Sequence, residues 1–69
     1  MQYDAATLRR VTVRAKARKF AAYVKESNMA CAIPEDVVDF LKDGEIALFF
    51  ECLDQFGLTR RKDYLWERK

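Results

Sequence analysis

A chain of 69 residues has room for one modest core, because folding at this size buries only about 60% of the unfolded chain's surface. It has no histidine, and its only two cysteines are Cys31 and Cys52. That removes the commonest general base and any ordinary zinc site, and it excludes a disulfide-rich scaffold. The net charge of +2 conceals a strong segregation: seven cations and no acid between residues 5 and 25, seven acids and only Lys42 between 35 and 54, then a second basic stretch from 60 to 69.

In chain order, residues 1–3 read as a loose terminus and Asp4 as an N-cap. Nothing from 5 to 27 is Gly or Pro, and the alanine, arginine and lysine content predicts a helix over 5–27. Val13, Ala17, Phe20 and Val24 share one face of it. Arg10, Arg14 and Arg18 form a row, and Leu8, Val11, Ala15 and Ala22 fall on a third side. Residues 10–18 also alternate strictly, Arg-Val-Thr-Val-Arg-Ala-Lys-Ala-Arg, which is a strand pattern. No second strand is visible elsewhere, so such a strand would pair only with its copy in a dimer.

Arg10-Val11-Thr12-Val13-Arg14, followed by a helical stretch to Ser27, resembles the opening of ribbon-helix-helix repressors. The resemblance covers less than a third of the chain. It implies strands paired across a dimer in the DNA major groove, with Arg10, Thr12 and Arg14 as the reading positions. Two features depart from the family. The connection at 28–34 is longer than the family's usual compact turn, and Gly44 would break its second helix.

Asn28 suits the end of the first helix. Met29, Cys31 and Ile33 make the following loop apolar, and Pro34 then opens a helix over 34–43. Asp43-Gly44 separates it from a helix over 45–56 that Gly57 stops. Ile46, Phe49, Phe50, Leu53 and Phe56 form its main stripe, and Leu48 and Cys52 lie off it. A helix so widely apolar is packed on two sides within its own fold or buried against a second chain, and a homodimer is an expected state. Thr59 to Trp66 reads as a short helix over 60–67 or as a tail. The fold class expected is all-α: one small helical domain over 1–69, a bundle of three to four short helices.

The chemistry of an enzyme is missing. Ser27, the only serine, has no base near it in sequence, and Gly44 and Gly57 are too few for a phosphate-cradling loop. Asp36, Asp39, Asp43 and Glu45 read as the solvated face of two helices. No catalytic residue, metal, cofactor, small-molecule substrate or membrane partner is expected. The longest apolar run, 46–50, is far too short to span a bilayer, and a cytoplasmic location is expected.

Three functional readings remain, the last of them a purely structural dimer or assembly subunit with the apolar helix as interface and no other ligand. In the first, a non-enzymatic regulatory protein binds DNA or RNA through Arg9, Arg10, Arg14, Lys16, Arg18 and Lys19, assisted by Arg60, Arg61 and Lys62 and by Arg68 and Lys69. Tyr23, Tyr64 and Trp66 are then available to stack on bases. In the second, an inhibitor or adaptor of the antitoxin or mobile-element type binds a protein partner. It would use its acidic middle and the stripe Ile46, Phe49, Phe50, Leu53 and Phe56.

Overall fold

The structure, a computed structural model, describes residues 4–69; residues 1–3, expected to be a loose terminus, lie outside them. Three helices and three strands follow in the order α1 (Ala5–Ser27), β1 (Cys31–Ala32), α2 (Glu35–Phe40), α3 (Glu45–Gln55), β2 (Leu58–Lys62) and β3 (Leu65–Arg68). The strands form one antiparallel sheet in the order β1-β3-β2. The fold is therefore α+β, which overturns the expected all-α bundle.

The first helix begins where Asp4 accepts the Thr7 N–H at 2.7 Å and ends where Asn28 turns left-handed at φ 58°. Burial shows why the alternation at 10–18 does not make a strand. Val13 and Ala17 are fully buried while Val11 and Ala15 are exposed, although a strand would place all four on one face. The strand implied by the ribbon-helix-helix resemblance is absent, and the Thr12 hydroxyl donates to the Leu8 carbonyl of its own helix.

The second helix is shorter than the span 34–43. It ends at Phe40 because the Arg9 guanidinium takes the Phe40 carbonyl at 2.9 Å, while Leu41 turns extended and buries its side chain. Gly44 then starts α3 at φ 85°. Arg9 meets Glu45 near the starts of α1 and α3, and Lys25 meets Gly57 near their ends, so the two helices run side by side in the same direction.

The largest departure lies after Gly57. Residues 60–67 form no helix; they belong to a hairpin, in which Leu58 faces Arg68 and Arg60 faces Trp66, with a bulge between Arg60 and Lys62. Asp63 makes the turn at φ 48°, a conformation Asp tolerates. Leu58 and Trp66 anchor the hairpin in the core. The apolar loop at 31–32 becomes β1 because β3 offers it an edge, Cys31 opposite Trp66 and Ala32 opposite Leu65.

One continuous core results. Val13, Ala17, Phe20, Ala21 and Val24 from α1 meet Phe49, Cys52 and Leu53 from α3, closed by Ile33, Leu41, Leu58 and Trp66. The third helix is thus packed on two sides within its own fold, against α1 and the sheet. Phe49 and Leu53, named as interface residues from sequence, are fully buried here and hold the protomer together. No helix among the described residues is long and apolar enough to cross a membrane.

Candidate nucleic-acid interface

A 23-residue helix rises about 34 Å, close to the 38 Å length of the molecule, and α1 spreads its cations over about 24 Å of it, from residue 9 to residue 25. With its buried stripe against α3 and the sheet, the cations fall on two flanks. Arg10, Arg14, Arg18 and Lys25 lie on the α3 side and Lys16 and Lys19 on the side of α2, while Arg9 lies between Phe40 of α2 and Glu45 of α3.

Several of these side chains rest on the half-buried phenylalanines of the middle stretch. The Arg14 and Arg18 guanidiniums sit 5.2 and 5.4 Å from the centre of the Phe56 ring. Arg9 and Lys16 sit 4.1 and 4.7 Å from that of Phe40, and Arg60 is 5.2 Å from that of Phe50. Each cation covers an apolar ring; Arg14, Arg18 and Lys16 do so without a protein carboxylate, whereas Arg9 and Arg60 also donate to protein oxygens. The apolar surplus expected to seat a partner is covered in this way: Phe50 and Phe56 lie under arginines, and Phe50 also packs on Tyr64 and Trp66. Ile46 is half-buried beside them.

Only one α1 cation has a carboxylate within 4.0 Å among the described residues. Arg9 donates through Nη2 to Glu45 Oε1 at 2.6 Å and through Nε to Oε2 at 2.9 Å. That pair, helped by the Lys42 N–H, holds the Glu45 carboxyl down at about 2 and raises Arg9 further. Arg10, Arg14, Lys16, Arg18, Lys19 and Lys25 have no such partner. The acids of the middle stretch are largely exposed elsewhere, Glu35, Asp36 and Asp39 on α2 and Glu51 and Asp54 on α3. Asp36 comes nearest, across a groove from Lys16 and Lys19.

The tertiary fold brings two further cations, Lys25 and Lys69, to the end of α3. Gly57, at φ 93°, lies under the Lys25 side chain; a Cβ there would be 3.2 Å from Lys25 Nζ. The Gly57 carbonyl accepts the Lys69 N–H at 3.0 Å, so the chain's last residues lie beside the Phe56-Gly57 turn. Lys69 Nζ is tied to Asp54 at 2.9 Å, and these charges complement the negative end of α3. Lys25 was legible as a basic residue seven positions after Arg18, one helical face on. Lys69 was expected among the assisting cations, but its tie to Asp54 had no local signal.

Arg60 and Arg61 do not join this surface. Arg60 Nε donates to the Asp63 carbonyl at 2.8 Å, and Arg61 faces Glu67 at 3.4 Å, at the far end of the hairpin. The expected stacking aromatics separate as well. Trp66 is only 3% exposed and belongs to the core, Tyr23 stands on the α2 flank, and Tyr64 packs edge-on to Phe50. Among the described residues no group of acids or cysteines is placed to hold a metal ion. No family model, curated protein or solved structure matches the chain.

Proposed function

We propose that this chain is a small, non-enzymatic cytoplasmic regulatory protein that binds nucleic acid through the phosphate backbone, using α1. The observation that carries this reading is that, among the described residues, six of the seven α1 cations have no carboxylate partner, although the chain has acids enough to neutralise them. Cations left without ion pairs on one rigid helix generate a local positive field, and phosphate neutralisation with counterion release supplies the affinity. The Arg14–Arg18 flank has no exposed aromatic beside it except Phe56, whose face is already covered. That favours backbone contact over base stacking on this flank; on the other, Tyr23 stands 59% exposed beside Lys16 and Lys19.

The test is fluorescence anisotropy with labelled random duplex DNA and single-stranded RNA across a salt series. Five phosphate contacts give a slope of log affinity on log salt of about −4.5, roughly a 500-fold loss between 50 and 200 mM salt. Arg14→Glu with Arg18→Glu removes most of that binding and leaves the circular dichroism of the helices unchanged. No salt-sensitive binding to either nucleic acid would overturn the proposal. It would leave the second reading, a basic protein partner for Glu35, Asp36, Asp39 and Glu51.

A further inference from the structure

The outward side of α1 has an organisation that phosphate binding alone does not require. Between the two cation flanks runs an uncharged ridge of Leu8, Val11, Ala15 and Ala22, all exposed, with Leu8 54% and Val11 48% open to solvent. Its spacing of i, i+3, i+7 and i+14 keeps these side chains in line along the helix. Arg18 borders it on one side and Lys19 on the other. An acid stands at each end, Asp4 and Glu26, so the ridge spans about 21 Å from residue 8 to residue 22.

We infer that α1 inserts lengthwise into the major groove of B-form DNA, with this ridge toward the base edges and its two flanks on the two phosphate strands. The inference rests on the nucleic-acid reading above and narrows it to one class of duplex. A helix with side chains is about 10–12 Å across, and the B-DNA major groove is about 12 Å wide. A ridge of small and aliphatic side chains fits the groove floor, and cations on both edges meet both of its walls. The A-form RNA major groove is deep and too narrow for side chains to read, so duplex RNA offers this surface no equivalent seat. Charge complementarity points the same way. Seven cations against one acid on α1 repel a second copy of the same helix and attract a polyanion.

The ridge also sets what is read. Its side chains have no hydrogen-bonding groups, and the neighbouring Thr12 hydroxyl is engaged by the Leu8 carbonyl at 2.9 Å. Recognition is then limited to apolar contact with thymine methyl groups, a shallow preference on top of backbone affinity.

The experiment compares duplex DNA and duplex RNA of one sequence by anisotropy, using the wild type, Ala15→Leu with Ala22→Leu, Arg18→Ala and Lys19→Ala. Leucine keeps helix propensity at both exposed positions while thickening the ridge, and circular dichroism checks that the fold is retained. The expected result is at least tenfold tighter binding to DNA than to RNA and at least tenfold weaker DNA binding by the double-leucine variant. The losses from Arg18→Ala and Lys19→Ala agree within about threefold. Equal binding of both duplexes, with the double-leucine and Lys19 variants unaffected, would overturn the groove inference and leave phosphate binding standing. Tighter binding or self-association of the double-leucine variant would overturn it in favour of an apolar partner. No salt-sensitive binding to either duplex would remove the nucleic-acid reading itself.

Discussion

The N-terminal helix and the C-terminal hairpin carry the same kind of side chain and use it in opposite ways. In the hairpin, Arg60 is held by the Asp63 carbonyl and the Phe50 ring, Arg61 faces Glu67, and Lys69 is tied to Asp54. In α1, only Arg9 is engaged by a carboxylate, and the remaining cations line the outside of a rigid rod. The contrast shows that a basic stretch in a sequence is two different things until its partners are known. The hairpin folds back so that Arg61 meets Glu67 and Arg60 meets a turn carbonyl, whereas most α1 cations point away from the acids of the chain.

The comparison breaks most completely where the hairpin is anchored. Trp66→Ala removes the side chain that seats β3 on α3 and costs about 3–5 kcal/mol, a large part of the stability of a domain this small. Urea unfolding followed by circular dichroism checks it. A change below about 1 kcal/mol would show that the hairpin is not part of the cooperative unit. Next in size, Arg60→Ala with Arg61→Ala lowers stability by about 1 kcal/mol through the lost ring stacking and hydrogen bond. Duplex affinity in the same variant stays within about threefold of wild type. A loss of binding as large as that of the Arg14 and Arg18 reversals would erase the distinction between the two regions.

The smallest effect belongs to Arg9, the α1 cation that behaves like those of the hairpin. Glu45 titrates at about 2 in the fold against an ordinary 4.5, so the unfolded chain takes up its proton first as the pH falls. The stabilisation from this pair is complete above the ordinary value and is lost as the pH drops from about 4.5 toward 2. Thermal melts over that window therefore show a falling midpoint in the wild type, and Glu45→Gln flattens that part of the slope. An identical slope in both proteins would mean that the pair contributes nothing to folding.

Much of the helical framework was legible. Asp4, Asn28, Gly44 and Gly57 punctuate α1 and α3 through their own side chains or backbone freedom, within a turn of the elements they bound. The candidate site was legible as a list of cations, not as a surface. Spacing alone placed Arg10, Arg14 and Arg18 in a row, but Arg9 and Arg61, which meet carboxylates, look no different in sequence from the cations that stay without one. Phe49 and Leu53 showed the same ambiguity, since an apolar stripe on a helix does not say whether its partner is the same chain or another.

Local chemistry by itself determined α1, the break at Gly44 and the stop at Gly57, because caps, propensity and the i→i−4 ladder act over a few residues. Only the tertiary structure decided that Cys31 and Ala32 are a strand, since their ladder partners, Trp66 and Leu65, lie more than thirty positions away. The same long-range packing decided which phenylalanines lie under arginines and which cations stay without a carboxylate. Strand pairing and ion pairing both depend on what arrives from elsewhere in the chain, and a local pattern holds no record of that.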